Sequence, residues 1–567
     1  MKNFLIRLLV VIIFLGAFIA LINLAPDYDI VYKYGDGDLR VIFNDKEITR
    51  DTNKLPEVAT IVDGNIMLSH NTIDILFDKD LYYEEKYNTF ITTSNEHRAD
   101  IEIGSNKIVV DGVEKDISTP AIMTNYEYKN DDRYEEEKEK VVYYIPIDDL
   151  KDIYDIDIVF DDKVIITTSN INLQSFNANA DETLEIKYLE DSKSKTIEKV
   201  NPGDIVYVFN YDEGKDFNKV RSKDGELGYL STNIIKTHNL EIISTKEDDE
   251  EITKPTINIA WDYIGPLTSS IGSKADRNYI KNLDVVCPTL LYIYDSTGEI
   301  HYNKSAVREY MNWANDNDFD VWFTLKNEDI SITHPFDINN LSELLNDMRS
   351  RAKAISQLIS VCKTYGAQGI NIDIENIYYK DRKAFTEFIR ELSIEGHKND
   401  LLVSVCVNVP DGSEEWSLCY EHKLLSEVSD YLCLMAYDMS RNAISSFAPH
   451  NWVEENVQKL VDRDNVNSNK ILLGIDFGSL LWTVKGDSKT RNVLFMSGAK
   501  KYLNGSTWDD IAKQYYYENI STGEYIWIEE SKSINEKMSL AGEYNLGGCA
   551  FWALDQETSD FWKSIGK

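Results

Sequence analysis

Gly369-Ile370-Asn371-Ile372-Asp373-Ile374-Glu375-Asn376 alternates isoleucine with polar residues over a length that suits one β-strand. In a strand, residues two apart share a face, so Asn371, Asp373 and Glu375 point one way and the three isoleucines the other. An exposed edge strand would tolerate that polar face, but the isoleucine face and the run's central place among similar runs argue for burial on both sides. Burying neighbouring carboxylates is costly unless they are paired or partly neutralised, so a merely structural strand would seldom keep them. The column is therefore a candidate catalytic site. The like charge of Asp373 and partial burial are expected to raise the pKa of Glu375 and favour a protonated acid near neutral pH.

Seven further apolar runs surround this one, at residues 257–261, 285–291, 321–325, 402–407, 432–435, 471–475 and 549–554, with helix-length segments between them. Eight such runs over residues 256–567 predict an α/β fold, a (β/α)8 TIM barrel with its functional residues at the C-terminal ends of the strands.

Four ordered phrases in this region resemble glycoside hydrolase family 18: "GAQGINIDIEN" (366–376), "LMAYDMS" (434–440), "KILLGIDFGSLLWT" (470–483) and "GGCAFWALD" (547–555). The resemblance implies catalysis by Glu375, Asp373 and Tyr437. Glu375 would be the proton donor, Asp373 the carboxylate that orients the substrate's acetamido N–H, and Tyr437 a donor to the acetamido oxygen. Trp552 would floor the sugar subsite, with Asn371, Asp438, Trp261, Tyr292 and Asn408 as further substrate-binding candidates. The implied chemistry is substrate-assisted and retaining, which needs one protein acid and no second protein nucleophile. It implies no cofactor and no metal. Gln368 and Asn371 stand where the family's strand carries aspartates, and Asn371 hydrogen-bonds but cannot take up charge. A slower catalyst, a different pH optimum, or both would follow. "NIAWDYI" (258–264) and "CPTLLYIYDSTGEI" (287–300) resemble the spore-cortex-lytic N-acetylglucosaminidase branch, which shifts the expected substrate from chitin toward peptidoglycan.

Three smaller regions are expected before the barrel. Residues 28–170 carry strand-like runs at 39–43, 100–103, 107–110, 141–145 and 163–167 and helical turns at 70–77 and 147–154. The phrases "GNIMLSHNTIDIL" (64–76) and "VVYYIPIDDLKDIYDIDIVFDDKVIITT" (141–168) resemble the two halves of a copper amine oxidase N-terminal-like domain, a duplicated α+β unit, here without ligand spacing for copper. Residues 180–240 resemble a bacterial SH3 domain, a small β-barrel, through "LEIKYLED", "GDIVYVFN" and "FNKVRSKDGELGYLSTNII", the last turning at Asp224-Gly225. Residues 241–255 read as a charged linker ending in Pro255, and the acidic run 130–140 as a solvated loop.

Residues 1–26 read as a transmembrane anchor: 17 uncharged residues, Leu8 to Leu24, follow Lys2 and Arg7 and precede Pro26. The basic flank points the N-terminus to the cytoplasm and predicts a membrane-anchored chain with an extracytoplasmic catalytic domain, at the cell surface or in a spore. A net charge of −38 opposes nucleic acid as a partner and favours a neutral or cationic substrate, here peptidoglycan or another N-acetylglucosamine-containing glycan. Six cysteines, all beyond residue 286 and without metal-ligand spacing, read as buried free thiols.

Overall fold

A computed structural model of the chain describes residues 39–48, 58–78, 81–94, 97–126, 140–160, 162–246, 256–265, 277, 280–327, 337–414, 416–439 and 443–565. The anchor read in residues 1–26, most of the acidic run and linker residues 247–255 lie outside these. Among the described residues, no helix is long and apolar enough to cross a membrane.

Eight parallel strands close into a barrel: β1 Ile257–Asp262, β2 Val285–Pro288, β3 Asp320–Lys326, β4 Gly369–Asp373, β5 Leu402–Asn408, β6 Tyr431–Met435, β7 Ile471–Asp476 and β8 Gly548–Trp552. Each pairs with the next, and β8 pairs with β1. All eight coincide with the predicted runs to within a few residues at each end.

The two faces of each strand meet different surroundings. Ile370, Ile372 and Ile374 pack outward with Leu358, Phe385 and Phe388 of the helices, while Ile259, Trp261, Cys406, Cys433 and Leu472 fill the interior. All six cysteines are buried and free, as expected. Only glycine can open β8: Gly548 has φ +146°, and a Cβ there would lie 1.8 Å from the carbonyl oxygen of Ile257.

Among the described residues, the largest break in the alternation of strand and helix follows β7, and no run in the sequence announces it. After β7 the chain forms an antiparallel sheet from Ser479–Lys485, Ser488–Leu494, Thr507–Asp509, Gln514–Asn519 and Glu524–Ile528 before returning through the helix Ser531–Glu543 to β8. Its inner face has a core of its own around Leu481, Ile526 and Ile528.

Ahead of the barrel, Asn65–Ser69 and Lys140–Pro146, from the two phrases of the expected duplicated unit, lie antiparallel with Leu68 opposite Ile145. Helical turns follow each, at His70–Leu76 and Asp148–Tyr154. A separate sheet begins at Leu173–Asn177 and ends at Glu241–Ser244, with its own core at Val206, Val220 and Leu230. It contains the expected hairpin, Phe217–Ser222 and Leu227–Ser231, turning at Gly225 with φ +84°. Its boundaries correct the expected ones. Residues 241–244 belong to a strand paired with Leu173–Asn177 rather than to the linker, because backbone pairing holds this edge even though Ile242 and Ile243 are exposed.

The N-terminal region is docked on the outside of the barrel through buried charges. Arg351, fully buried in helix α1 (Met348–Tyr365), donates to Glu84 of the N-terminal strand Tyr82–Glu84 at 2.9 Å. It also donates to Glu391 of helix α2 (Arg382–His397) at 2.9 Å. Arg98 reaches the same Glu391 at 3.2 Å, and Arg390 pairs with Asp78 at 2.9 Å. Helix α2 follows β4 in the chain, so this contact braces the wall behind the polar column. Arg351→Met leaves Glu84 without its guanidinium partner and Glu391 with only Arg98. It is expected to destabilise the fold by about 3–5 kcal/mol in urea unfolding, and Arg351→Met/Glu391→Gln to recover part of that loss.

Candidate active site

The polar column of β4 lies inside the barrel as the alternation requires. Asn371, fully buried, accepts from the indole Nε1 of Trp261 at 2.9 Å and from the hydroxyl of Thr324 at 3.3 Å. Its amide donates to the Ser404 hydroxyl at 2.9 Å. These bonds run to the adjacent strands β3 and β5 and across the barrel to β1, so Asn371 serves as an interior cross-link. Asp373 ends the strand one layer higher, with Lys326 Nζ 3.2 Å from its Oδ2 and, among the described residues, no hydrogen-bond partner at its Oδ1.

Glu375 lies just beyond the end of β4 rather than within it. Asn327, the residue after β3, clamps it: the Glu375 N–H donates to Asn327 Oδ1 at 3.0 Å, and Asn327 Nδ2 donates to the Glu375 carbonyl at 2.5 Å. Asn376 follows in a left-handed conformation, φ +57°, and turns the chain away. The backbone of Glu375 is therefore fixed by a side chain from the adjacent strand.

Tyr437 and Asp438 leave β6 at the same end of the barrel. Burial, and then the nearby carboxylates of Asp476 and Asp373, push the Tyr437 phenol well above its ordinary range, so it remains a proton donor. Asp438, at φ +60°, has Arg491 of the inserted sheet 3.6 Å from its carboxylate. Trp552 closes β8, its ring 5.9 Å from that of Trp261 and 5.5 Å from Lys326 Nζ.

Asp373, Glu375, Tyr437, Asp438, Trp552, Trp261 and Asn408 line one cavity of about 510 Å³. Three of the sequence candidates sit differently from the rest. Trp261 is almost wholly buried and reaches the cavity from behind Trp552. Tyr292 is not in the lining: it is buried, and its hydroxyl donates to the carbonyl oxygens of Thr289 and Ile264 at 2.8 and 3.1 Å. Asn371 lies beneath the cavity. The amide nitrogen of Asn408 is buried and, among the described residues, has no hydrogen-bond partner, a donor available to a polar ligand.

The sequence reading missed Lys326, Asn327, Asp411, Ser413 and Trp416, of which all but Asn327 line the cavity. Lys326 was within reach of it, because Thr324 and Lys326 share the inward phase of their strand just as Asn371 and Asp373 do. The loop residues carried no periodicity to expose them. Among the described residues, no cluster of His, Cys, Asp or Glu is placed to hold a metal ion. The cavity offers four carboxylates (Asp373, Glu375, Asp411 and Asp438), a phenol, a cation and an aromatic floor, a set suited to proton transfer at a bound sugar.

Residues 330–557 match glycosyl hydrolases family 18. Over 289 residues the chain is 25% identical to the uncharacterized glycosylase YvbX of Bacillus subtilis (strain 168), covering 49% of this chain and 82% of that one. Over 236 residues it is 23% identical to the cortical fragment-lytic enzyme of the same organism, covering 39% of this chain and 54%, about half, of that relative. Among solved structures, the spore cortex-lytic enzyme SleL of Bacillus megaterium QM B1551 superposes with a TM-score of 0.48 at 18% identity, covering 58% of this chain and 77% of that one. A chitinase of Chromobacterium violaceum ATCC 12472 gives 0.47 at 20% identity, covering 55% and 98%.

Asp476, at the end of β7, gives this site a measurable pH signature. Burial pushes its carboxyl up to about 7, opposed by the N–H of Gly478 and reinforced by the charge of Glu529. Between roughly pH 4 and 7 the folded state keeps a proton that the unfolded state has released, so stability falls as pH rises through that window. Asp476→Asn removes the effect. It is expected to unfold at higher urea than the parent at pH 8, with the difference shrinking on acidification. An equal difference at pH 8 and pH 4.5 would contradict the assignment.

Proposed function

We propose that this chain, residues 330–557 of which match glycosyl hydrolases family 18, is a glycosidase that cleaves β-1,4 bonds after N-acetylglucosamine in peptidoglycan or spore cortex. The observation that carries the reading is the convergence of Asp373, Glu375, Tyr437 and Trp552, from three different strand ends, on one cavity. In this reading Trp552 stacks under the sugar and Tyr437 donates to its acetamido oxygen. Asp373 accepts the acetamido N–H at its unengaged Oδ1. The acetamido carbonyl oxygen attacks C1 as the glycosidic C–O bond breaks and Glu375 protonates the leaving oxygen. Glu375 then takes a proton from water, which opens the oxazolinium ion at C1 and leaves the configuration retained.

The relative named as a cortical fragment-lytic enzyme supports spore cortex as the substrate, as does the charge of −38, which suits a glycan better than a polyanion. The apolar run Leu8 to Leu24 supports an extracytoplasmic, membrane-anchored enzyme, and an SH3-like role of residues 180–240 in wall binding belongs to the same proposal. A second reading, a chitinase-like enzyme on other N-acetylglucosamine polymers, rests on the same cavity. A third, a sugar-binding or wall-assembly protein without catalysis, is opposed by the presence of both Asp373 and Glu375.

The test is digestion of purified peptidoglycan by the detergent-solubilised full-length chain, because the barrel alone would lose Glu84 and Arg98, the N-terminal partners of Arg351 and Glu391. Mass spectrometry is expected to find new N-acetylglucosamine reducing ends, and Glu375→Gln to lower kcat/KM by about 10²–10⁴-fold. Muramic acid reducing ends would reject the bond assignment. Binding without cleavage of peptidoglycan or chitin oligosaccharides would favour the sugar-binding protein.

A further inference from the structure

Lys326 stands opposite Asp373 in the parallel pairing of β3 and β4, so both side chains leave the barrel wall toward the interior at the same height. Both are nearly inaccessible, with side-chain exposures of 7% and 5%, and the ammonium sits 3.2 Å from Asp373 Oδ2. The same ammonium lies 5.5 Å from the centre of the Trp552 ring, and all three residues line the cavity with Glu375. Burying a lysine against the floor of a sugar site is expensive and calls for a local function. The layer below offers Asp373 no help, because the amide of Asn371 is already engaged with Trp261, Thr324 and Ser404. Among the described residues, the other titratable groups shown to feel Asp373 or to line the cavity on its own strand end are Glu375, Cys406 of β5, Tyr437 after β6, and Tyr292 and Tyr420, none of which is a cation.

We infer that Lys326 is a positioning residue of this site: it holds Asp373 by one oxygen, leaves Oδ1 for the substrate's amide N–H, and supplies as a fixed charge what a second carboxyl at position 371 would supply as a shared proton. The inference rests on the roles of Asp373 and Glu375 proposed above. A shared proton lets a carboxylate change partners, whereas an ammonium pair keeps it in one orientation. In this chain Asp373 is set by the barrel wall beside it rather than by the layer beneath it.

The experiment measures kcat, KM and the pH dependence of kcat/KM on peptidoglycan fragments for the full-length chain and three variants, with folding checked by near-UV circular dichroism. Lys326→Met is expected to lower kcat by about 10–100-fold with KM changed little, because a misoriented carboxylate is a transition-state defect. Its acidic limb should move to higher pH, because a buried carboxylate that has lost its cation protonates more readily. Lys326→Gln keeps an N–H donor without the charge and should show the same shift with a smaller loss; it carries the test if the methionine variant does not fold. Lys326→Met/Asn371→Asp should recover at least part of the lost kcat. A kcat and acidic limb like the parent's in both single variants, or a loss confined to KM, would overturn the inference. A parent chain that cleaves nothing, with Glu375→Gln equally silent, would instead overturn the functional reading on which it rests.

Discussion

Two buried polar residues on one strand, Asn371 and Asp373, set a constraint that the rest of the barrel has to meet. Neither can lie inside a closed parallel sheet without partners, and the partners come from around the ring. Trp261 reaches in from β1, Thr324 and Lys326 from β3, and Ser404 from β5. A slip of one residue in the register of β4 would turn the isoleucines inward and the carboxylate into the helical layer. Registration of the barrel and placement of the site are therefore one event. The hydrogen bonds that make the interior tolerable also orient the groups that face the cavity.

The outside of the same wall is held differently. Helix α2 packs Phe385 and Phe388 against the isoleucine face of β4 and turns Glu391 and Arg390 toward the N-terminal sheet. Buried ion pairs of this kind add little net stability over apolar packing, but they penalise any docking that leaves one charge alone. They therefore specify where the N-terminal region sits, which is against the helices and away from the strand ends. The mouth of the barrel is left to the loops and to the inserted sheet after β7, which reaches Asp438 through Arg491.

Charge is unevenly distributed in this site. The chain as a whole is strongly acidic, yet the cavity places a lysine between a carboxylate and an aromatic floor. A carboxyl at position 371 could share a proton with Asp373; the amide there cannot, and the nearest compensation for Asp373 is lateral, across the sheet. Asn327, one residue further along β3, fixes the backbone of Glu375. The end of β3 thereby steers both carboxylates of the β4 phrase.

The parts of this protein that obey a local period could be read directly. Alternation along 369–375 assigned faces to Asn371 and Asp373, and eight apolar runs in succession predicted a barrel whose strands fall where they were expected. Four ordered phrases marked Glu375, Tyr437, Asp438 and Trp552 before any of them shared a cavity. Three-dimensional packing alone decided the rest. Tyr292 turns its hydroxyl to backbone carbonyls because Thr289 and Ile264 are folded against it, and the insert after β7 follows strand pairing that no single run announces. The partners of Arg351 lie 267 and 40 residues away in the chain, and those of Asn327 and Lys326 nearly 50. Periodicity says which face a residue is on; which residue meets it across that face depends on register and chain closure, and those exist only in the folded chain.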